Sequence, residues 1–332
     1  MKKIIGLGNA LVDVLAQIEN ETLLEELNLP KGSMQLIDAG RYASVSRRLA
    51  EMPTQCATGG SAANTMLALA QLGATPGFIG KIGNDTFGRI FADNCRTCGI
   101  RPFLAEGETP TGVASTFITP DGQRTFATFL GAAAEVTASD LDAHIFAGYG
   151  FLYIEGYLVQ NHLLIETAVD LARQAGLRVC IDLASYNIVE ADRDFFAQLL
   201  RKTDIVFANE EEAHAFTGKA PAEALEELAG LCEIAVVKVG KEGAMAACGA
   251  QRALAPAMAD IVVRDTTAAG DFFAAGFLYA LTRGATPEVC LRCGALLAGN
   301  VIQVIGTKLP EKVWEQIRQR VAALLAGTTT KV

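Results

Sequence analysis

Apolar and polar positions along the chain follow two different periods, and the changes between them mark its elements. From about residue 57 onward, short apolar runs alternate with helix-length amphipathic segments. Runs at 75–80, 151–154, 177–181, 205–207 and 234–238 read as strands. Segments 61–72, 85–98, 161–174 and 223–231 carry helical spacing, and the first two stop at Gly73 and Gly99. Strands that alternate with crossover helices specify a doubly wound, mostly parallel sheet between two helical layers, an αβα fold of the α/β class. Two regions, 11–38 and 101–130, break the rhythm. There the alternation is strict, as in Val12, Val14, Ala16 and Ile18, or in 113–117 and 124–129 on either side of Pro120-Asp121-Gly122. These regions are expected to form antiparallel strands of a small β-sheet lid, inserted in one domain that spans 1–332. A further β-rich run covers 260–264.

Composition narrows the partners. The chain has 332 residues, of which 51% are hydrophobic and 20% charged, with 32 glycines that suit tight strand-to-helix junctions. Its net charge of −9 argues against nucleic acid or an anionic membrane surface as a partner. No apolar run approaches the ~20 residues of a membrane span, and Asn9 and Asp13 interrupt what would otherwise resemble a signal peptide after Met1-Lys2-Lys3. A cytoplasmic protein, monomer or homodimer, is expected. The pairs Cys95/Cys98 and Cys290/Cys293 lie in helical segments, where this spacing puts small apolar residues on one face. His144, His162 and His214 show no ligand spacing.

The chemistry concentrates in Asp265-Thr266-Thr267-Ala268-Ala269-Gly270-Asp271, which opens a long apolar helical segment. Small residues at a loop-to-helix junction let backbone N–H groups converge at the positive end of the helix dipole, which makes a site for a phosphate. A carboxylate beside a phosphate site makes sense as a base that takes a proton from an attacking alcohol. An N-capped helix after a turn is the plainer alternative for the same residues.

Other motifs supply partners in order along the chain. Gly6-Leu7-Gly8 lacks the third glycine of a dinucleotide fingerprint, since Leu11 stands in its place. Asn9 and Asp13 are expected at the C-terminal edge of the first strand, where an amide and a carboxylate can hold neighbouring sugar hydroxyls or serve only as turn and strand residues. The pair Gly59-Gly60 permits close backbone approach to a ligand, with Asn64 one turn on and Ser61 as a helix cap. Asn209 to Glu212 follows a strand and either favours a helix start or positions a hydrated Mg²⁺, with Glu212 acting through water. Lys238, Gly240 and Gly243 add a cation and two glycines at the next strand end.

In this order the motifs resemble those of the PfkB (ribokinase-like) carbohydrate kinases over nearly the whole chain. Gly59-Gly60 with Asn64 is similar to that family's first signature, 265–271 to its second, and 209–212 to its NxxE motif. The resemblance implies a ribokinase-like fold, ATP and Mg²⁺ as cosubstrates, and phosphorylation of a primary hydroxyl. It implies Asp271 as base and the backbone of Ala268, Ala269 and Gly270 as anion hole. Asn9, Asp13, Gly59, Gly60 and Asn64 would hold the substrate. Arg124 resembles the lid arginine that reaches the phosphates. Asn209, Glu212, Lys238, Gly240, Gly243, Asp265, Thr266 and Asn300 would line the nucleotide site.

Ala268 departs from the family's usual glycine. If that position needs a positive φ, alanine costs on the order of 1 kcal/mol. Within the family, 8–13 followed by 29–35 looks most like adenosine kinases, so Gln35, Tyr157 and Tyr186 would meet a purine base. Two alternatives stand beside a nucleoside kinase: a ribose- or fructose-type sugar kinase, and a catalytically silent ligand-binding relative.

Overall fold

A computed structural model describes residues 2–121 and 123–327; Met1, Gly122 of the expected turn and 328–332 lie outside the described residues. Fourteen strands are described: β1 Ile4–Leu7, β2 Leu11–Gln17, β3 Met34–Leu36, β4 Thr54–Gly59, β5 Gly77–Gly83, β6 Arg101–Gly107, β7 Gly112–Ile118, β8 Arg124–Phe129, β9 Phe151–Glu155, β10 Arg178–Asp182, β11 Ile205–Asn209, β12 Ile234–Lys238, β13 Ala244–Cys248 and β14 Gln251–Ala255. Nine form one sheet in the order β14-β13-β12-β11-β10-β9-β1-β5-β6. Its strands from β12 to β6 are parallel, and the β13–β14 hairpin adds an antiparallel edge.

Period-two alternation divides the sheet's side chains between two apolar layers. Ile4, Phe78, Tyr153, Phe207 and Val236 face the helices Ser61–Gln71, Ala269–Leu281, Pro287–Val301 and Glu311–Leu325. Ile5, Ile79, Leu152, Ile181 and Val237 face His162–Gln174, Arg193–Leu200 and Pro221–Ala229. Burial on both faces explains why these strands are continuous apolar runs. The chain enters at β1 in the middle of the sheet, then builds β5 and β6 on one side and β9 to β12 on the other. That reversal opens a crevice at the C-terminal ends of the central strands.

The lid is a five-stranded sheet in the order β3-β8-β7-β2-β4. Three expectations about the lid need correcting. The lid is mixed rather than antiparallel, because β2 pairs β7 and β3 pairs β8 in parallel. The segment 101–107 is not lid: β6 follows the crossover helix Thr86–Thr97 and pairs in parallel with β5 at the edge of the main sheet. Conversely β4, at 54–59, belongs to the lid through antiparallel pairing with β2. The run 260–264 forms no strand; the N–H of Arg264 donates instead to Ile302 O at 2.8 Å, and Val262 and Val263 are exposed. Branched residues alone do not make a strand where no partner edge is offered.

Candidate active site

Polar residues stand at the C-terminal ends of adjacent strands, where each apolar run stops. Asn9 follows β1, Glu155 ends β9, Asp182 ends β10, Asn209 ends β11 and Lys238 ends β12. Register sets them in neighbouring pairs, Glu155 beside Asp182 and Asn209 beside Lys238. The start of the helix Ala269–Leu281 faces this row. Asp13, in contrast, is not at the edge of the first strand but on lid strand β2.

Asp271 sits in the first turn of Ala269–Leu281. Ser61 Oγ donates to its Oδ1 at 2.6 Å, and Asn64 Nδ2 donates to its Oδ2 at 3.0 Å. Burial pushes its carboxyl up to about 6, against the pull of the Ser61 and Asn64 hydrogen bonds; Asp182 adds to the rise and Lys238 opposes it. A carboxylate poised there is ionised at neutral pH yet basic enough to accept a proton.

The loop before it carries the conformation that the Ala268 departure put in question. Ala268 adopts φ 60° and ψ 11°, the left-handed region, and precedes the first helical residue. Phe272 N–H makes the first bond that spans four residues, to Ala268 O at 2.9 Å. Groups in the first turn ahead of it have no carbonyl four residues back within the helix. Ala269 is a partial exception to the expected anion hole, because its N–H donates to Thr266 O at 3.2 Å. The side of Gly270 is closed by a cation: a β-carbon there would lie 3.1 Å from Lys238 Nζ.

Lys238 Nζ donates to Asp182 Oδ2 at 2.9 Å, and both side chains are largely buried. Burial alone would lower the lysine's pKa, but Asp182, Glu212 and Asp271 outweigh it and raise the value. Glu212 is buried and forms a closed capping box with Asn209. Its carboxylate accepts Asn209 N–H and Nδ2, both at 2.8 Å, and its own N–H donates to Asn209 Oδ1 at 2.8 Å. Burial, then Asp182, pushes its carboxyl up to about 7.

On the acceptor side, Asn9 is held by Glu155, whose Oε1 accepts both the Asn9 N–H and Nδ2 while Oε2 accepts the Ala62 N–H at 2.9 Å. Burial lifts Glu155 to about 7 against those three bonds. Burial likewise lifts Asp13 to about 7, with Arg124 as the main opposing influence. Gly60 is required by the chain itself, since it has φ 96° and its β-carbon would strike Asn9 O at 2.1 Å. It also takes the cap position expected of Ser61, whose hydroxyl goes to Asp271 instead.

Arg124 reaches from lid strand β8 to Asp265, with an ion pair of 2.8 Å, and to Thr267 Oγ1 at 3.4 Å; one guanidinium nitrogen is buried without a protein partner. Asp265 is otherwise engaged by Thr267 N–H, Thr267 Oγ1 and Gly306 N–H. Its carboxylate therefore braces the loop, and the exposed Thr266 contributes its backbone carbonyl.

The other expected residues are fixed by their own surroundings. Asn300 Nδ2 is committed to Leu296 O of its own helix at 2.7 Å. Gly240 has φ 55°, while Gly243, at φ 105°, is glycine because a β-carbon would strike Ala255 O at 2.1 Å. Tyr186 lines a different groove, of about 560 Å³, with Glu190, Glu210, His214 and Lys219. Gln35 is half-buried on β3, whereas Tyr157 is 38% exposed and feels the charges of Asp271 and Glu155. Sequence reasoning did not single out Glu155 and Asp182, and read Ser61 only as a cap. The available signal for the first two was a lone acid directly after an apolar strand run.

The profile of the pfkB family of carbohydrate kinases matches residues 33–314. The chain is similar to the crystal structure of a probable sugar kinase from Rhizobium etli CFN 42, with 35% identity, 99% of each chain covered and a TM-score of 0.85. It is equally similar to an adenosine kinase from Sinorhizobium meliloti, with 35% identity, 96% of this chain and 99% of that one covered, and a TM-score of 0.85. An adenosine kinase of Saccharomyces cerevisiae is 26% identical over 336 residues, which cover 93% of this chain and 97% of that protein.

Proposed function

The chain belongs to the pfkB family of carbohydrate kinases, phosphotransferases that act on sugar or nucleoside hydroxyls with ATP as donor, and we propose that it phosphorylates the primary hydroxyl of a ribonucleoside with Asp271 as the base. The observation that carries this reading is the placement of Asp271. It lies at a helix start, held at both oxygens, beside a left-handed loop and a buried ammonium.

In this reading Asp13, Asn9 and Asn64 hold the acceptor's ring hydroxyls. Asn64 Oδ1, buried and without a protein partner, is suited to accept from one of them. Asp271 takes the proton of the attacking hydroxyl as the oxygen bonds to the γ-phosphorus and ADP leaves. The N–H groups of the 268–271 turn, Lys238 and the free nitrogen of Arg124 receive the charge on the transferring phosphoryl group. Lys238 and Gly240 border the nucleotide phosphates.

Mg²⁺ fits the charge of the site, where Asp182, Glu212 and Asp271 surround a single ammonium. No group of three or more metal-ligating side chains occurs among the described residues, and both Glu212 oxygens are hydrogen-bonded. Glu212 would therefore hold the ion through water, and the ion would offset phosphate charge.

Tyr157, partly open beside Asp271, favours a nucleoside by offering an aromatic face for a base. A simple-sugar kinase remains the second reading, favoured by the likeness to the Rhizobium etli protein. A silent relative is the third reading: Ala268 does sit in the left-handed region, where alanine is strained, whereas Asp271 with a donor on each oxygen favours catalysis. A coupled ADP-release assay over a panel of nucleosides and free sugars tests the proposal. Turnover on a nucleoside is expected; turnover confined to sugars selects the second reading, and stabilisation by a ligand without turnover on any acceptor defeats both.

A further inference from the structure

One face of the helix Ser61–Gln71 grips Asp271 at three points. Ser61 Oγ holds Oδ1 at 2.6 Å, Asn64 Nδ2 holds Oδ2 at 3.0 Å, and Thr65 Oγ1 shares its proton between the Asp271 and Ser61 backbone carbonyls, each at 3.2 Å. Positions three and four apart share a helix face, so all three arrive from one side. Helix capping leaves Ser61 unexplained, because Gly60 occupies the cap.

We propose that Ser61 is a positioning residue for phosphoryl transfer, whose hydroxyl pins one oxygen of the Asp271 carboxylate while Asn64 pins the other. A carboxylate has about four acceptor positions and turns readily about its terminal torsion. With one donor fixed on each oxygen, that rotation stops and the remaining lone pairs face one direction. An oriented base spends less of the barrier on finding the reactive geometry. The hydroxyl donates and so favours the ionised form, which burial disfavours. The other charged and titratable groups around this carboxylate are Asp13, Glu155, Asp182, Lys238, Tyr153 and Tyr157. Asp182 pushes its proton affinity up and Lys238 opposes it, so a neutral donor on the carboxylate acts with the lysine against burial.

This inference rests on Asp271 being the base, and the test separates the two. Full-length wild type is compared with Ser61→Ala, Ser61→Thr and Asp271→Asn on an acceptor that wild type phosphorylates. Ser61→Ala is expected to lower kcat about tenfold or more, since a hydrogen bond to a charged group is lost, with acceptor KM within about threefold. Its acid limb of kcat against pH moves to higher pH, and Ser61→Thr restores most of both. Unchanged kcat and acid limb in Ser61→Ala overturn the proposal. A threonine variant as slow as alanine, with both melting within about 2 °C of wild type, overturns it too. If the alanine protein does not fold, Ser61→Cys, a weaker donor, carries the same expectations. Intact kcat in Asp271→Asn removes the base assignment and Ser61 with it. Collapse of kcat in Asp271→Asn beside a neutral Ser61→Ala removes Ser61 alone.

Discussion

Gly59 and Asp13 lie so close that a β-carbon on the glycine would stand 2.4 Å from the aspartate Oδ1. They are diagonal neighbours, two positions out of line in the β2–β4 ladder, where Leu11 opposes Gly59 and Asp13 opposes Ala57. The neighbouring Gly60 is constrained differently, by a backbone oxygen at 2.1 Å and by its positive φ. The two glycines should therefore fail in different ways. Gly59→Ala pushes aside a movable side chain and should raise acceptor KM roughly tenfold or more with little loss of stability. Gly60→Ala meets backbone and should cost about 2–4 kcal/mol in denaturant unfolding. Equal unfolding losses in both variants would contradict this division.

Ala268 tests the strain in the anion loop. At φ 60°, alanine is held where glycine is at ease. Ala268→Gly should stabilise by up to about 1 kcal/mol, which raises Tm by on the order of 2 °C, and should leave kcat equal or higher. A lower Tm together with a lower kcat would show that the alanine methyl packs usefully.

Glu155 should make stability depend on pH in the reverse of the usual carboxylate sense. Its pKa rises from 4.5 to about 7 in the folded protein, chiefly through burial. Between those values the folded state holds a proton that the unfolded chain releases, so stability falls as pH rises. The contribution is complete below about 4.5 and gone above about 7. Thermal melts of Glu155→Gln across this window should show a shallower decline than wild type; parallel curves would remove Glu155 as a cause.

Asp182 and Lys238 combine a structural and a catalytic burden that a double variant can separate. Removing either partner leaves a buried charge uncompensated, so Lys238→Met and Asp182→Asn should each cost about 3 kcal/mol. The pair of substitutions together should cost less than their sum. Activity should not recover in step: the double variant lacks the ammonium beside Gly270, and its kcat/KM for ATP should stay at least ~10²-fold down. Full activity in a stable double variant would make the pair purely structural.

Legibility in the sequence varied with how local the cause was. Strand β12 was expected at 234–238 and occurs there, because a run whose first four residues are buried on both faces has little else to be. The helix ends at Gly73 and Gly99 were equally plain, since both glycines have the left-handed φ that stops a helix. The segment 101–107 was misplaced because alternation reports a half-buried strand but not which sheet owns it. The run 260–264 was misjudged because β-branched composition says nothing about the presence of a partner edge.

The active centre divides in the same way. The helix starts at Asp271 and at Asn209–Glu212 were legible because each is marked by neighbours a few residues away, and a left-handed Ala268 was anticipated as a condition. By itself, then, the chain's order of residues determined the αβα frame, the family and the motifs at the strand ends. Only the tertiary structure decided that Ser61 serves Asp271 across 210 positions, that Glu155 holds Asn9 across 146, and that Asp182 anchors Lys238 across 56. Those contacts depend on strand order and on which strand ends meet, a property of the assembled sheet that no local pattern encodes.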